Sequence, residues 1–177
     1  MAESYEFDPV DWISAGAVGE PGARTFYLQA RKGTDYVALV LEKGQVAALA
    51  QLAQQLLGSA GVTVTPDDLD ERVQRLVEPV TPVWRAGAIS IGSDEAGERF
   101  LMQAEELVPD DLEEEDEEAA GVARFWMDRD DLVALAAHAA YAVSAGARER
   151  CRFCSRPIDP VLGHVCPATN GHGPLTV

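Results

Sequence analysis

Basic residues are scarce in this chain. Its 177 residues hold 14 Lys and Arg against 30 Asp and Glu, a net charge of −16. Such a body repels phosphate backbones, so general nucleic-acid binding is disfavoured. Long apolar runs are missing as well. No segment approaches the roughly 18 consecutive apolar residues of a transmembrane helix, so no membrane association is expected. The first residues, Met1-Ala-Glu-Ser-Tyr-Glu-Phe-Asp8, carry neither a positive nor an apolar stretch. Without the marks of a signal peptide, a cytoplasmic location is expected. Histidines number only 3, too few for a His-based catalytic centre. His138 lies in an alanine-rich segment and reads as a surface or packed helix residue. No serine or lysine has a recognisable activating partner. Cysteines also number 3, an odd count that excludes a closed disulfide framework.

What the few cysteines do is crowd together. Cys151-Arg-Phe-Cys154 is followed by His164-Val-Cys166, and His172 comes six residues later. C-x-x-C makes a knuckle whose turn points both sulfurs at one ion, and structural zinc takes four Cys or His ligands in a tetrahedron. The expected ligands of one zinc are Cys151, Cys154, His164 and Cys166, with His172 as the alternative fourth ligand. His164 is preferred because it shares a turn with Cys166. Three thiolates and one imidazole suit zinc better than iron. Arg150 and Arg152 flank Cys151 and are expected to lower its thiol pKa. A catalytic zinc keeps a position open for water. The zinc deaminases place an H-x-E or C-x-E before their C-x-x-C, and neither tripeptide occurs here. The site therefore reads as closed and structural, with no catalytic residues assigned.

The acidity is local. Residues 105–118 hold ten acids and no base. Blocks of like charge stay solvated, and they can also tether a basic partner or the Arg-rich tail of the same chain. The rest of the chain shows an ordered internal similarity. Ala15-Gly-Ala-Val18 resembles Ala86-Gly-Ala-Ile89; Phe26-Tyr-Leu-Gln-Ala30 resembles Phe100-Leu-Met-Gln-Ala104; Val46-Ala-Ala-Leu-Ala50 resembles Leu132-Val-Ala-Leu-Ala136. In each copy, three short runs rich in aromatic and branched residues precede a helical period. Gly58 is the expected C-cap of the first helix, and Thr65-Pro66 reads as a further helix start.

The expected fold is α+β. A duplicated β-β-β-α unit forms one antiparallel sheet or a two-sheet sandwich, with helices on one side, and a small C-terminal zinc knuckle follows. The duplicated body covers residues 1–146, with copies at about 12–57 and 84–144, a linking helix at about 66–78 and the acidic insertion at 105–118. The zinc-knuckle tail covers residues 147–177, with Phe153, Ile158, Val161, Leu162 and Val165 as its expected core.

Phe7-Asp-Pro-Val10, the stretch from Ala15 to Gln29, Leu41-Glu-Lys43 and the tail with Gly163-His-Val-Cys-Pro167 together resemble the actinobacterial domain-of-unknown-function family 3090, over nearly the whole chain. The resemblance implies no established reaction. It implies that the tail stretch around His164 recurs, which supports His164 over His172. It also implies gene neighbours that include a phosphatase-like and a lipid-kinase-like protein. Repeated strands followed by a helix also resemble the Pur and Whirly single-strand-binding folds, a likeness of fold alone. Three functions follow as expectations. The first is a non-enzymatic adaptor with a protein partner. The second is a single-stranded nucleic-acid binder reading bases with sheet aromatics. The third is an enzyme, or enzyme subunit, of phosphate metabolism.

Overall fold

The computed structural model of the chain describes residues 3–20, 22–65, 68–69, 76–108, 120–145, 151–154, 158 and 164–167. The strands among them are β1 (Tyr5–Phe7), β2 (Trp12–Val18), β3 (Thr25–Lys32), β4 (Asp35–Leu41), β5 (Trp84–Ser93), β6 (Phe100–Glu106) and β7 (Val122–Met127). The helices are α1 (Lys43–Ser59), between β4 and β5, and α2 (Arg129–Ala145), after β7. None of them is long and apolar enough to cross a membrane.

The architecture is α+β. Seven strands form one sheet in the order β1-β7-β6-β5-β4-β3-β2. The expected antiparallel sheet is in fact mixed. Hairpins make β2-β3-β4 and β5-β6-β7 antiparallel, whereas β4 pairs β5 in parallel and β1 pairs β7 in parallel. The cause is the long connection through α1, which returns the chain to the end of the sheet from which β4 started. β1 lies outside the expected copies, which began at residue 12.

Strands β1 and β2 sit at opposite edges of the sheet order, yet only residues 8–11 join them. A flat seven-stranded sheet would set its edges roughly 29 Å apart. Five residue steps reach at most about 18 Å. The sheet must therefore curl enough to bring its two edges within about 18 Å of each other there. Val10 N–H donates to the Trp126 carbonyl on β7 (2.9 Å), and Asp11 N–H to that of Arg31 on β3 (2.8 Å). Asp8 ties the seam further: Lys32 Nζ donates to its carbonyl and Arg99 pairs with its carboxylate. Arg99 also stacks on Trp126, 4.7 Å from the ring centre.

The concave side carries the core. Phe26, Leu28 and Ala30 of β3, Phe100, Met102 and Ala104 of β6, and Ala123, Phe125 and Met127 of β7 alternate inward and are buried, the period-2 pattern of a strand with one covered face. Helices α1 and α2 pack on each other, α1 also on β5 and α2 on β2. Buried Ala50, Ala53, Ala136 and Ala139 allow that close approach. Each helix begins with a reciprocal cap. Glu42 N–H donates to Gln45 Oε1 (2.8 Å). Asp131 N–H donates to Asp128 Oδ1 (2.9 Å), while Asp128 N–H donates to Asp131 Oδ2 (3.2 Å). The Asp131 carboxyl is pushed up to about 6, chiefly by burial. Gly58 lies inside α1 and not at its cap; the chain leaves the helix at Ala60, and Gly61 supplies the positive φ of 76°.

The convex side is covered unevenly. Ser14, Gln29 and Ala38 form one row across β2, β3 and β4, and each is fully buried. The irregular segment from Leu76 to Val80, which bends at Glu78 and Pro79, lies over Gln29 and Gly16. Gln29 Nε2 donates to the Val77 carbonyl (3.1 Å) and its Oε1 accepts from Val77 N–H (2.8 Å). Leu76 fills the space above Gly16, where a Cβ would come within 2.7 Å of its Cγ. The helix expected at about 66–78 does not extend to its last three residues. Leu76–Glu78 are not helical, and most of the remainder falls outside the described residues.

The three sequence matches differ in their structural register. Phe26–Ala30 and Phe100–Ala104 both lie on the middle strand of a hairpin pair, and the third match aligns α1 with α2. The first match does not align: Ala15 faces Leu28, whereas Ala86 faces Glu106. A bulge between Ala86 and Ala88 and the greater length of β5 shift that stretch away from its apparent counterpart.

Candidate metal centre

The tail follows α2 after residues 146–150. Cys151 opens a tight turn through Arg152, Phe153 and Cys154. That turn places backbone N–H groups of Phe153 and Cys154 on the Cys151 sulfur and lowers its thiol to about 7, the Phe153 contribution being the larger and burial opposing both. The Cys166 sulfur lies 3.6 Å away, within hydrogen-bond reach, and this contact lowers the thiol further. Among the described residues the lowering comes from these neighbours and not from Arg152. Arg152 stacks over Phe153, 4.7 Å from the ring centre, and Arg150 lies outside the described residues.

Cys151, Cys154, His164 and Cys166 come together. One donor atom from each lies within 4.8 Å of every other. Cys151 and Cys166 are buried, while Cys154 and His164 are half-buried. Cys154 Sγ stands 2.9 Å from His164 Nε2. Tetrahedral bonds of ~2.3 Å to sulfur and ~2.0 Å to nitrogen set neighbouring ligand atoms about 3.5–3.8 Å apart. The Cys151–Cys166 distance already meets that spacing, and the Cys154–His164 pair needs to open by less than about 1 Å. The four residues fit a metal ion by donor type, number and spacing, and they could hold one. His172, the alternative ligand, lies outside the described residues.

The surroundings of this cluster differ from the expected tail core. Phe153 is 52% exposed and Val165 64% exposed, so two of the five expected core residues face outward. Ile158 is half-buried, and Val161 and Leu162 fall outside the described residues. A chain closing around four ligands needs little apolar core, which leaves apolar side chains free to point outward.

Elsewhere the body offers a small cleft of about 110 Å³ between α1 and β5, lined by Gln45, Ala48, Leu49, Leu52, Ile89 and Ile91 among others. None of its lining side chains titrates. His138 is buried within α2. The acidic insertion lies mostly outside the described residues, which stop at Val108 and resume at Ala120.

Against known proteins, residues 5–166 match the family described as "Protein of unknown function (DUF3090)". No curated protein and no solved structure matches the chain. The match spans nearly the full length, and the chain belongs to this family.

Proposed function

We propose that this member of the DUF3090 family is a non-enzymatic protein-interaction module whose tail is organised by one structural zinc ion. The observation that carries the reading is the convergence of Cys151, Cys154, His164 and Cys166. Four protein ligands complete a tetrahedron and leave no position for a reacting water, which fits a structural role and not catalysis. Bound there, zinc would act as the cross-link that a short tail with few buried apolar residues lacks. The exposed Phe153 and Val165 would then stand on a rigid surface beside the ion. Residues 1–146 serve as the body and residues 147–177 as the knuckle. The reading is tested by isolating the tagged full-length chain from its native cell beside Cys151→Ser. A protein partner retained in constant proportion by the wild type and lost by the variant is the expected result. Nucleic acid recovered in place of protein would overturn the reading.

We infer also that the body arose by duplication. Gln29 pairs with Ser14 and Ala38, and Gln103 with Ser90 and Arg124. Placing one glutamine on the other superposes Ile13-Ser-Ala-Gly16 on Ile89-Ser-Ile-Gly92 and Leu39 on Phe125. The parallel neighbours then agree too: Leu39 faces Trp84 and Phe125 faces Phe7. The inferred copies therefore start at residue 5 and near residue 82. An experimental structure in which Gln29 and Gln103 hold unrelated places in their strands would refute the duplication.

A further inference from the structure

We propose that the cysteine cluster is also a site of oxidative modification: a hydroperoxide joins Cys151 to Cys166 in a disulfide, which releases the metal and replaces it as the tie between two tail segments. This rests on the reading of the cluster as a zinc site.

None of the three cysteines forms a disulfide in the reduced chain. Cys151 Sγ and Cys166 Sγ nonetheless stand 3.6 Å apart, and both residues are buried. An S–S bond is ~2.05 Å, so the two sulfurs need to close by roughly 1.5 Å, a movement within the reach of side-chain torsions. Cys154 is engaged otherwise. Its sulfur lies within 4.8 Å of the other two but sits against His164 Nε2 at 2.9 Å.

The placement of the ligands decides what each possible bond would do. Cys151 and Cys154 belong to one turn, and His164 and Cys166 to a second segment. A Cys151–Cys166 bond joins those two segments across 15 positions, as the ion would. A Cys151–Cys154 bond closes only its own turn. With Cys151 and Cys166 oxidised, Cys154 and His164 remain, and two ligands do not make the four of a structural zinc site.

The chemistry balances with a hydroperoxide as the oxidant. A cysteine sulfur attacks the peroxide, the O–O bond breaks, and the sulfur becomes a sulfenic acid while an alcohol, or water from hydrogen peroxide, leaves. A second cysteine sulfur attacks the sulfenic sulfur, the S–O bond breaks, and water leaves. Two electrons pass from the sulfurs to the peroxide. The two protons it takes up come from the thiols, or from solvent where the thiolates were bound to metal. The oxidant meets the cluster on the half-buried side of Cys154 and His164. A bond formed first at Cys154 passes to its neighbours by thiolate exchange, so the resting product is the most stable one. The contact already packed in the folded tail, closing the longer loop, is favoured.

The test treats zinc-loaded, full-length chain with hydrogen peroxide beside a zinc-binding dye, then maps disulfides in a digest. The expected result is loss of the bound zinc, a mass lower by two hydrogen atoms, and a peptide pair linked through Cys151 and Cys166. Reduction with a dithiol and added zinc should restore the starting state. Protease should cut the oxidised tail about tenfold more slowly, or slower still, than the chelated and reduced tail. A chain that binds no zinc before the oxidant is added overturns the metal reading. Zinc bound at the start and retained through oxidation overturns the present proposal. So does a linkage through Cys154 or between chains, or a mass raised by oxygen atoms with no disulfide formed.

Discussion

Full-length protein is expected to carry one zinc ion per chain, and His164→Ala is expected to lower that content more than His172→Ala does. His164 stands with the three cysteines, its Nε2 2.9 Å from Cys154 Sγ. Apparent binding energies for structural zinc in small knuckles are about 10–16 kcal/mol near neutral pH, and losing one of four ligands removes a large share of them. The tail has few other sources of order: Cys151 and Cys166 are its fully buried residues among those described, and Phe153 and Val165 are exposed. Chelation should therefore expose the tail to protease while sparing the body, whose buried core runs from Phe7 to Ala142 without a tail residue. Elemental analysis of wild type and both variants checks the ligand set, and limited proteolysis checks the consequence. Wild type without stoichiometric metal, or a site emptied by His172→Ala instead, would overturn the assignment.

The second large effect is on stability. Gln29→Leu should destabilise the fold by about 2 kcal/mol, since it removes two hydrogen bonds to Val77 and strips the cover of its anchor. For a chain of this size that lowers Tm by roughly 4–8 °C. Gln103→Leu is the control. Gln103 holds the equivalent place in its strand, but its two partners are exposed side chains, so its loss should cost less than about 0.5 kcal/mol. Thermal unfolding of the two variants side by side measures the contrast. Equal shifts would mean that the strap adds nothing to stability.

Much of this structure is readable along the chain. Period-2 runs place six of the seven strands, and the spacing of Val46, Leu49 and Leu56 and of Leu132 and Leu135 places both helices, because one face of each element must be buried in a pattern its own geometry sets. The knuckle is equally local: C-x-x-C closes on itself within a single turn. β1 was not legible. Three residues are too few to show a period, and Tyr5–Phe7 is a strand only because β7 lies beside it. The mixed directions and the curl of the sheet depend on connections, not on any residue's preference.

Two residue fates were decided by the tertiary structure alone. Nothing near Gln29 distinguishes it from Gln103; one is sealed under Leu76 and Val77 by a segment 48 residues away, and the other is half-buried with exposed side chains as its partners. Phe153 and Val165 read as core, yet both are exposed. The reason is common to all of these. A sequence states which faces of an element are apolar and which turns close on themselves, whereas the identity of what covers a face is fixed by distant parts of the chain.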